Sequence, residues 1–167
     1  DNGVTPLLCA AQNGHEAIVR ALIEASADVN EPRDNGATPL YTAAQQGHEA
    51  IVRALIEAGA DINKAKDKGV TPLIVAAFLD HEVVVRALIE AGADINKARD
   101  DGGTPLYMTA QVGNEAVVRA LIELGADINK TTDNGSTPMY IAAQKGHTAI
   151  VQIIRDAVLV PMQHLSL

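Results

Sequence analysis

Aromatic residues are scarce in this chain of 167 residues, which has one Phe, three Tyr and no Trp. A compact domain with one wide core usually has more of them, because each aromatic side chain buries a large apolar area. Basic residues are outnumbered too, by 21 Asp and Glu to 13 Lys and Arg, for a net charge of −8. Because phosphate backbones bind basic surfaces, this balance argues against a nucleic acid partner. The abundant Ala, Leu, Ile and Val favour a thin core between closely stacked layers.

Cysteine and long apolar runs are nearly absent as well. The one cysteine, Cys9, has no partner for an internal disulfide, so nothing indicates a secreted, disulfide-bonded fold. No apolar run approaches the roughly 18 residues that a membrane-spanning helix needs. The chain shows no signal peptide and opens without Met in the middle of a pattern, so we expect a fragment of a longer protein. We expect an intracellular, cytoplasmic location without membrane insertion.

A repeat of 33 residues is the main signal in what is present. Its clearest mark is a Thr-Pro pair that occurs five times: Thr5-Pro6, Thr38-Pro39, Thr71-Pro72, Thr104-Pro105 and Thr137-Pro138. A Gly precedes each of these Thr residues by two positions. A His follows four of them by ten positions, and Asn114 takes its place in the fourth repeat. Five phased copies do not arise by chance, so the chain is built from repeated structural units.

Each unit reads as a short helix, a turn, a second helix and a hairpin loop. In the first unit, Thr5 can cap a helix with its hydroxyl, and Pro6 suits the first helical position, where its missing N–H would be unpaired anyway. We predict a helix over residues 6–12, ended by Gly14, and a second over residues 16–25. Two short helices cannot bury their apolar faces alone, so neighbouring units must stack. Small residues permit a close approach: Ala10-Ala11, Ala43-Ala44, Ala76-Ala77 and Ala142-Ala143.

The run GATPLYTAAQQGHEAIVRALIEAGADIN contains Thr-Pro-Leu, Ala-Ala, Gly-His and Gly-Ala-Asp-x-Asn in order. It resembles the ankyrin repeat, and the resemblance extends over residues 1 to about 157. This implies an all-α ankyrin-repeat solenoid, with helix-turn-helix pairs joined by β-hairpin loops. The implied repeats are 1–33, 34–66, 67–99, 100–132 and 133–157, followed by a C-terminal tail at 158–167.

One departure from the family pattern is systematic. The His that follows Thr-Pro-Leu in the family is replaced in all five repeats, by Leu8, Tyr41, Ile74, Tyr107 and Tyr140. We therefore expect the hydrogen bond that this His makes in the family to be lost, or replaced by Tyr hydroxyls.

The two ends of the repeat array differ. Terminal repeats of a solenoid need a polar outer face, and Arg155 occupies a position that is Ile in the other repeats. Together with Ile153 in place of Ala, this predicts a C-terminal capping repeat. Residues 1–33 look like an interior repeat, so we expect further repeats upstream, a partner on this end, or end-to-end self-association through repeat 1. Pro161 predicts a helix end near residue 160, with the tail folded back or disordered.

Nothing in the sequence indicates catalysis, a metal site or a cofactor. Cys9 has no acid and base in phase with it, and we interpret it as a buried small hydrophobe. The phased histidines lie one per repeat, too far apart to share a zinc ion, so we interpret them as structural turn residues. The resemblance adds candidate hydroxylation sites, often found eight residues after a Leu: Asn30, Asn63, Asn96 and Asn129. The alternative is that these Asn side chains bond their own backbone and hold the loop.

Binding in ankyrin domains typically uses the hairpin tips and the exposed face of the first helices. The two positions that directly follow the Ala-Ala pair are polar in most repeats. In the third repeat they are Phe78 and Leu79, and in the fourth repeat Val112 occupies the second of them. Contiguous exposed apolar side chains usually mark an interface. Asp80 replaces the turn Gly here, which leaves repacking of Phe78 into the core as an alternative. The predicted partner-binding residues are Phe78, Leu79, Val112, Gln45, Gln111, Tyr41, Tyr107, Lys68 and Asp101.

The sequence therefore predicts a non-enzymatic scaffold that binds another protein through the concave face of the first helices and the hairpin tips. The charged tips are either a solvated edge or a rim that sets the association rate. Two further alternatives remain open. One is an engineered ankyrin-type binder, favoured by the near-identical second helices. The other is the non-catalytic recognition arm of a larger multidomain protein.

Overall fold

The computed structural model describes residues 3–163, with side chains up to residue 159. This part of the chain forms ten α-helices in five pairs. The first helices of the pairs are α1 (Pro6–Asn13), α3 (Pro39–Gln46), α5 (Pro72–Phe78), α7 (Pro105–Val112) and α9 (Pro138–Lys145). The second helices are α2 (Glu16–Glu24), α4 (Glu49–Glu57), α6 (Glu82–Glu90), α8 (Glu115–Glu123) and α10 (Thr148–Gln163).

Each first helix begins at its Thr-Pro pair, as the sequence predicts. The Thr hydroxyl accepts a hydrogen bond from the backbone N–H three residues later, at 3.1–3.2 Å in all five repeats. The turn to the second helix needs a left-handed residue. Gly47 has φ of 74°, and a Cβ at this position would lie 2.8 Å from Nδ1 of His81. Any other residue there would therefore strain the backbone and push the histidine aside.

Tight hairpin turns connect one repeat to the next. Between the second and third repeats the N–H of Lys66 donates to the carbonyl of Val70 at 2.9 Å, and the two residues form an isolated bridge. The N–H of Asp100 donates to the carbonyl of Lys68 at 3.1 Å, which joins neighbouring tips. No extended strand forms within residues 3–163. The predicted all-α stack of helix-turn-helix pairs is confirmed.

The repeats stack so that first helices pack on first helices and second helices on second helices. One continuous apolar cluster runs through the stack. Small residues lie where the first helices approach each other, and Ala44, Ala77 and Ala110 are fully buried. Leu55 of α4 and Leu88 of α6 are also fully buried. Each repeat therefore completes the core of its neighbours, as a 33-residue unit requires.

The upstream side of repeat 1 is uncovered. Cys9 is exposed, so the expectation that it is a buried hydrophobe is wrong. At the equivalent position the later repeats bury their side chains: Thr42, Val75, Met108 and Ile141. Ile18 is 51% exposed, whereas Ile51, its equivalent in repeat 2, is 1% exposed. The difference arises because each interior repeat receives a preceding repeat on this side, and the described residues supply none for repeat 1.

Helix α10 is longer than the other second helices. It continues past Pro161 to Gln163, so the predicted helix end near residue 160 is wrong. A proline has no N–H to donate to the carbonyl four residues earlier, at residue 157, yet the helix continues for two residues beyond it. Arg155 is exposed and Ile153 is buried, the arrangement that a capping repeat needs. The segment predicted as a tail is helical as far as residue 163, and residues 164–167 lie outside the described residues. The predicted repeat boundaries stay a prediction.

Candidate partner-binding groove

An apolar groove lies among the first helices and hairpin turns of repeats 2 to 4. Its volume is about 250 Å³, and we call it the central groove. Its lining residues are Tyr41, Gln45, Val70, Ile74, Val75, Phe78, Leu79, Arg99 and Met108. Four of the predicted binding residues thus meet here, namely Tyr41, Gln45, Phe78 and Leu79. The groove offers apolar side chains together with one amide and one guanidinium, a mixture typical of a recognition surface.

Phe78 and Leu79 remain at the surface because the turn that follows them keeps the geometry of the other repeats. Asp80 has φ of 64°, the left-handed conformation that Gly adopts in the equivalent turns. The N–H of His81 donates to the carbonyl of Ala76 at 2.9 Å, which matches the bond from His48 to Ala43 in repeat 2. Phe78 is 38% exposed and Leu79 is 42% exposed. The structure therefore does not repack Phe78 into the core.

Tyr41 forms a wall of the central groove rather than its rim. The residue is 5% exposed, and burial raises the pKa of its hydroxyl above the ordinary value. The ammonium of Lys66 lies 5.6 Å from the centroid of the Tyr41 ring, a cation–π distance. Within the described residues the Tyr41 hydroxyl makes no hydrogen bond, and its oxygen is not among the buried atoms that lack one. The hydroxyl is therefore accessible from the groove that Tyr41 lines. The expectation that Tyr hydroxyls rebuild the family's His bond thus finds no support here.

A second groove of about 220 Å³ adjoins the central groove toward the C-terminus. We call it the C-terminal groove; its lining residues are Arg99, Asp101, Tyr107, Met108, Gln111, Thr132, Asp133 and Asn134. Arg99 and Met108 line both grooves, so the two form one surface. The guanidinium of Arg99 donates hydrogen bonds to the Asp101 carboxylate, which lower the pKa of Asp101. Asp101, Tyr107 and Gln111 therefore belong to this second groove.

Two of the predicted residues line neither groove. Val112 is 36% exposed at the end of α7, and Lys68 is exposed on a hairpin tip. The sequence reasoning missed Val83, which is 56% exposed at the start of α6. The signal was available, because the other repeats have alanine at this position: Ala17, Ala50, Ala116 and Ala149. Repeat 3 therefore has three exposed apolar side chains, Phe78, Leu79 and Val83, within one short segment.

The phased histidines link neighbouring repeats. Nε2 of His81 lies 3.0 Å from the carbonyl of Gln45, near the end of the preceding first helix, and His48 and His147 make equivalent contacts. A carbonyl oxygen only accepts, so Nε2 carries the proton. In repeat 4 the side-chain amide of Asn114 replaces this link by donating to the carbonyl of Phe78 at 3.2 Å. This geometry supports the interpretation of the histidines as structural residues.

The repeated asparagines also join neighbouring repeats, which differs from the expected bond to their own backbone. The side-chain oxygen of Asn63 accepts a hydrogen bond from the N–H of Asp94 in the next repeat at 3.0 Å. Asn30 and Asn96 make equivalent bonds at 2.8 Å. Asn129 is exposed and makes no such bond in the described part of the chain. Hydroxylation of these four residues stays a prediction.

Among residues 3–163, no three His, Cys, Asp or Glu side chains lie close enough together to hold a metal ion. No helix in this part of the chain is long and apolar enough to cross a membrane.

Comparison with known proteins identifies the repeats. A family model described as ankyrin repeats (3 copies) matches residues 7–99 and 92–159, which together make up most of the chain. A search of curated proteins found no match. Ankyrin repeats are generally protein–protein interaction modules, and the family is typically non-catalytic. The capped helix pairs, their stacking and this match agree, and the chain belongs to the ankyrin-repeat family.

Proposed function

We propose that this chain binds another protein through the concave face of its first helices and hairpin tips, with Phe78 and Leu79 as the main anchors. The observation that carries the proposal is the central groove, where both side chains are exposed although the frame around them is unchanged. Keeping a phenylalanine and a leucine in water is unfavourable for folding, so a partner that covers them gains the apolar burial that folding leaves unused. No chemical step is needed for this role.

The charges beside the central groove suggest what kind of segment fits it. Lys66 makes no salt bridge within the described residues and lies over the Tyr41 ring, whereas Arg99 is already paired with Asp101. An unpaired cation thus stands at the edge of an apolar floor in a chain of net charge −8. A partner segment with an apolar side chain and a nearby carboxylate would satisfy both features. A nucleic acid would meet repulsion from most of the surface.

Affinity capture with the intact chain, followed by measurement of binding to the captured protein, tests this role. Phe78→Ala should weaken binding by about 30-fold, which corresponds to the roughly 2 kcal/mol typical of an aromatic anchor. Leu79→Ala should also weaken it. The matched control is Leu159→Ala, because Leu159 is similarly exposed at 54% but lies on α10, away from the groove.

Three outcomes separate the explanations. Selective loss of binding in the Phe78 and Leu79 variants, with unchanged circular dichroism and melting, supports the proposal. If Phe78→Ala instead lowers the melting temperature sharply, the side chain is part of the core. If affinity for the captured protein is the same in all three variants, the central groove is not the binding site.

A further inference from the structure

The one Phe and the three Tyr of the chain all lie along one continuous surface. Tyr41 and Phe78 line the central groove, and Tyr107 lines the C-terminal groove. Tyr140 borders a third groove of about 370 Å³, which it shares with Tyr107. The central and C-terminal grooves share lining residues, and we call the two together the trough. Grooves lined by aromatic side chains are typical of surfaces that bind proline-rich segments in the polyproline II conformation.

Both grooves of the trough also present a free side-chain amide. Tyr41 and Gln45 lie four residues apart on α3, and Tyr107 and Gln111 have the same spacing on α7. The backbone carbonyls of both glutamines are bonded to the His ring of the next repeat, but their side-chain amides make no hydrogen bond within residues 3–159. A polyproline II helix has no internal hydrogen bonds, so its carbonyls can accept from such amides. An α-helix uses its carbonyls internally and would leave the amides unpaired.

The spacing of the repeats matches the same conformation. Packed helices lie about 8–10 Å apart, so this is the distance between one first helix and the next. A polyproline II helix rises about 3.1 Å per residue with three residues per turn, which places every third side chain on one face about 9 Å apart. A β-strand presents every second side chain, about 6.6 Å apart, and does not keep step with the repeats. One turn of a polyproline II segment therefore corresponds to one repeat.

Opposite charges stand at the two ends of the trough. The ammonium of Lys66 lies over the Tyr41 ring at the edge of the central groove and makes no salt bridge within the described residues. Asp133, two repeats further on, lines the C-terminal groove, is exposed and likewise has no salt bridge there. Arg99 lies between them and is already paired with Asp101. A ligand with a carboxylate and a basic side chain two turns apart complements both ends.

We propose that the trough binds a proline-rich segment in the polyproline II conformation, with one acidic and one basic residue about six positions apart. The acidic side chain lies beside Lys66, the basic one lies beside Asp133, and the residue midway between them enters the central groove. This inference rests on the proposed function, and adds to it the conformation, the register and the charges of the bound segment.

Fluorescence anisotropy with labelled synthetic peptides and the intact chain tests the proposal. The peptides PEPPLPPRP and PRPPLPPEP carry Glu and Arg six positions apart in the two possible directions along the trough. One of them should bind, and the other should bind at least about fivefold more weakly. The peptide GEGGLGGRG keeps the charges and the Leu but loses the preformed conformation, so it should bind at least about tenfold more weakly than the better of the two. Removing one proline between Leu and the second charge should weaken binding several-fold.

Substitutions in the trough test the register from the side of the protein. The double variant Lys66→Glu with Asp133→Lys exchanges the two free charges, so it should reverse the preference between the two peptides. Gln111→Ala should weaken binding about fivefold, the usual effect of one lost hydrogen bond. The matched control is Gln46→Ala, because Gln46 is exposed on α3 but lines neither groove. Circular dichroism verifies that each variant is folded.

Several results would overturn the inference. These are no binding of either peptide at millimolar concentration, equal affinity for the glycine peptide, and a charge exchange that leaves the preference unchanged. The proposed function survives each of them if Phe78→Ala still weakens binding to the captured protein. A captured protein that is insensitive to Phe78→Ala, together with a peptide preference that follows the charge exchange, supports the bound conformation proposed here and removes Phe78 as an anchor.

Discussion

The stability that a residue gains when a preceding repeat covers it can be measured with two substitutions at the same repeat position. Ile51 in repeat 2 is 1% exposed and Ile18 in repeat 1 is 51% exposed, within helices of identical sequence. Ile51→Ala removes a fully enclosed side chain and leaves a cavity, which should cost about 2–5 kcal/mol of unfolding free energy. Ile18→Ala removes a side chain that is half in water and leaves no enclosed space. Its cost should be about 1 kcal/mol.

The assay is urea unfolding followed by far-ultraviolet circular dichroism, because the chain has no Trp for fluorescence. The protein must be dilute, so that contact between molecules does not cover Ile18. The midpoint of Ile51→Ala should fall several times further than that of Ile18→Ala, at an unchanged slope. Equal losses would show that side-chain burial between repeats is not what distinguishes these positions, and the stacking argument would fail.

Two further predictions concern the links between repeats and the groove wall. His81→Ala should lower the free energy of unfolding by about 1 kcal/mol, because it removes the bond to the Gln45 carbonyl. His81→Asn should lower it less, since Asn114 makes the same link in repeat 4. Equal urea midpoints for the two variants would contradict this. Burial raises the pKa of Tyr41 above 10.0, so its contribution to stability is present below pH 10 and lost as pH rises through the folded pKa. Tyr41→Phe should remove that part of the alkaline loss, measured as unfolding free energy against pH.

Helices and turns were predictable because their determinants are local. A Thr hydroxyl that bonds an N–H three residues later, and a Gly that turns the chain, lie within a few residues of the atoms they affect. The repeated phase then fixed how the units stack. The end of α10 was predicted wrongly because proline disfavours a helix without fixing the residue at which the helix ends, and α10 continues two residues past Pro161.

Exposure was harder to predict because it depends on the neighbouring repeat. Cys9 occupies a position that is buried in every later repeat, so its exposure depends on whether a preceding repeat covers it. The side chain of Asn63 bonds an N–H that is 31 residues away in sequence, which no local turn rule anticipates. Tyr41 lines the central groove together with Phe78 and Met108, which belong to the next two repeats. Which residues form the groove therefore required the three-dimensional arrangement.

The nearest-neighbour character of these links also determines how the molecule responds to tension. In the part of the chain that the structure describes, each hydrogen bond between repeats, such as those of the His81 ring and the Asn63 amide, joins one unit only to the next. A load applied to the two termini therefore passes through the contacts in series, and the weakest one yields first. Each detached unit of 33 residues would release about 110 Å of extended polypeptide. Such a protein lengthens in discrete steps while the units that remain stacked keep their shape.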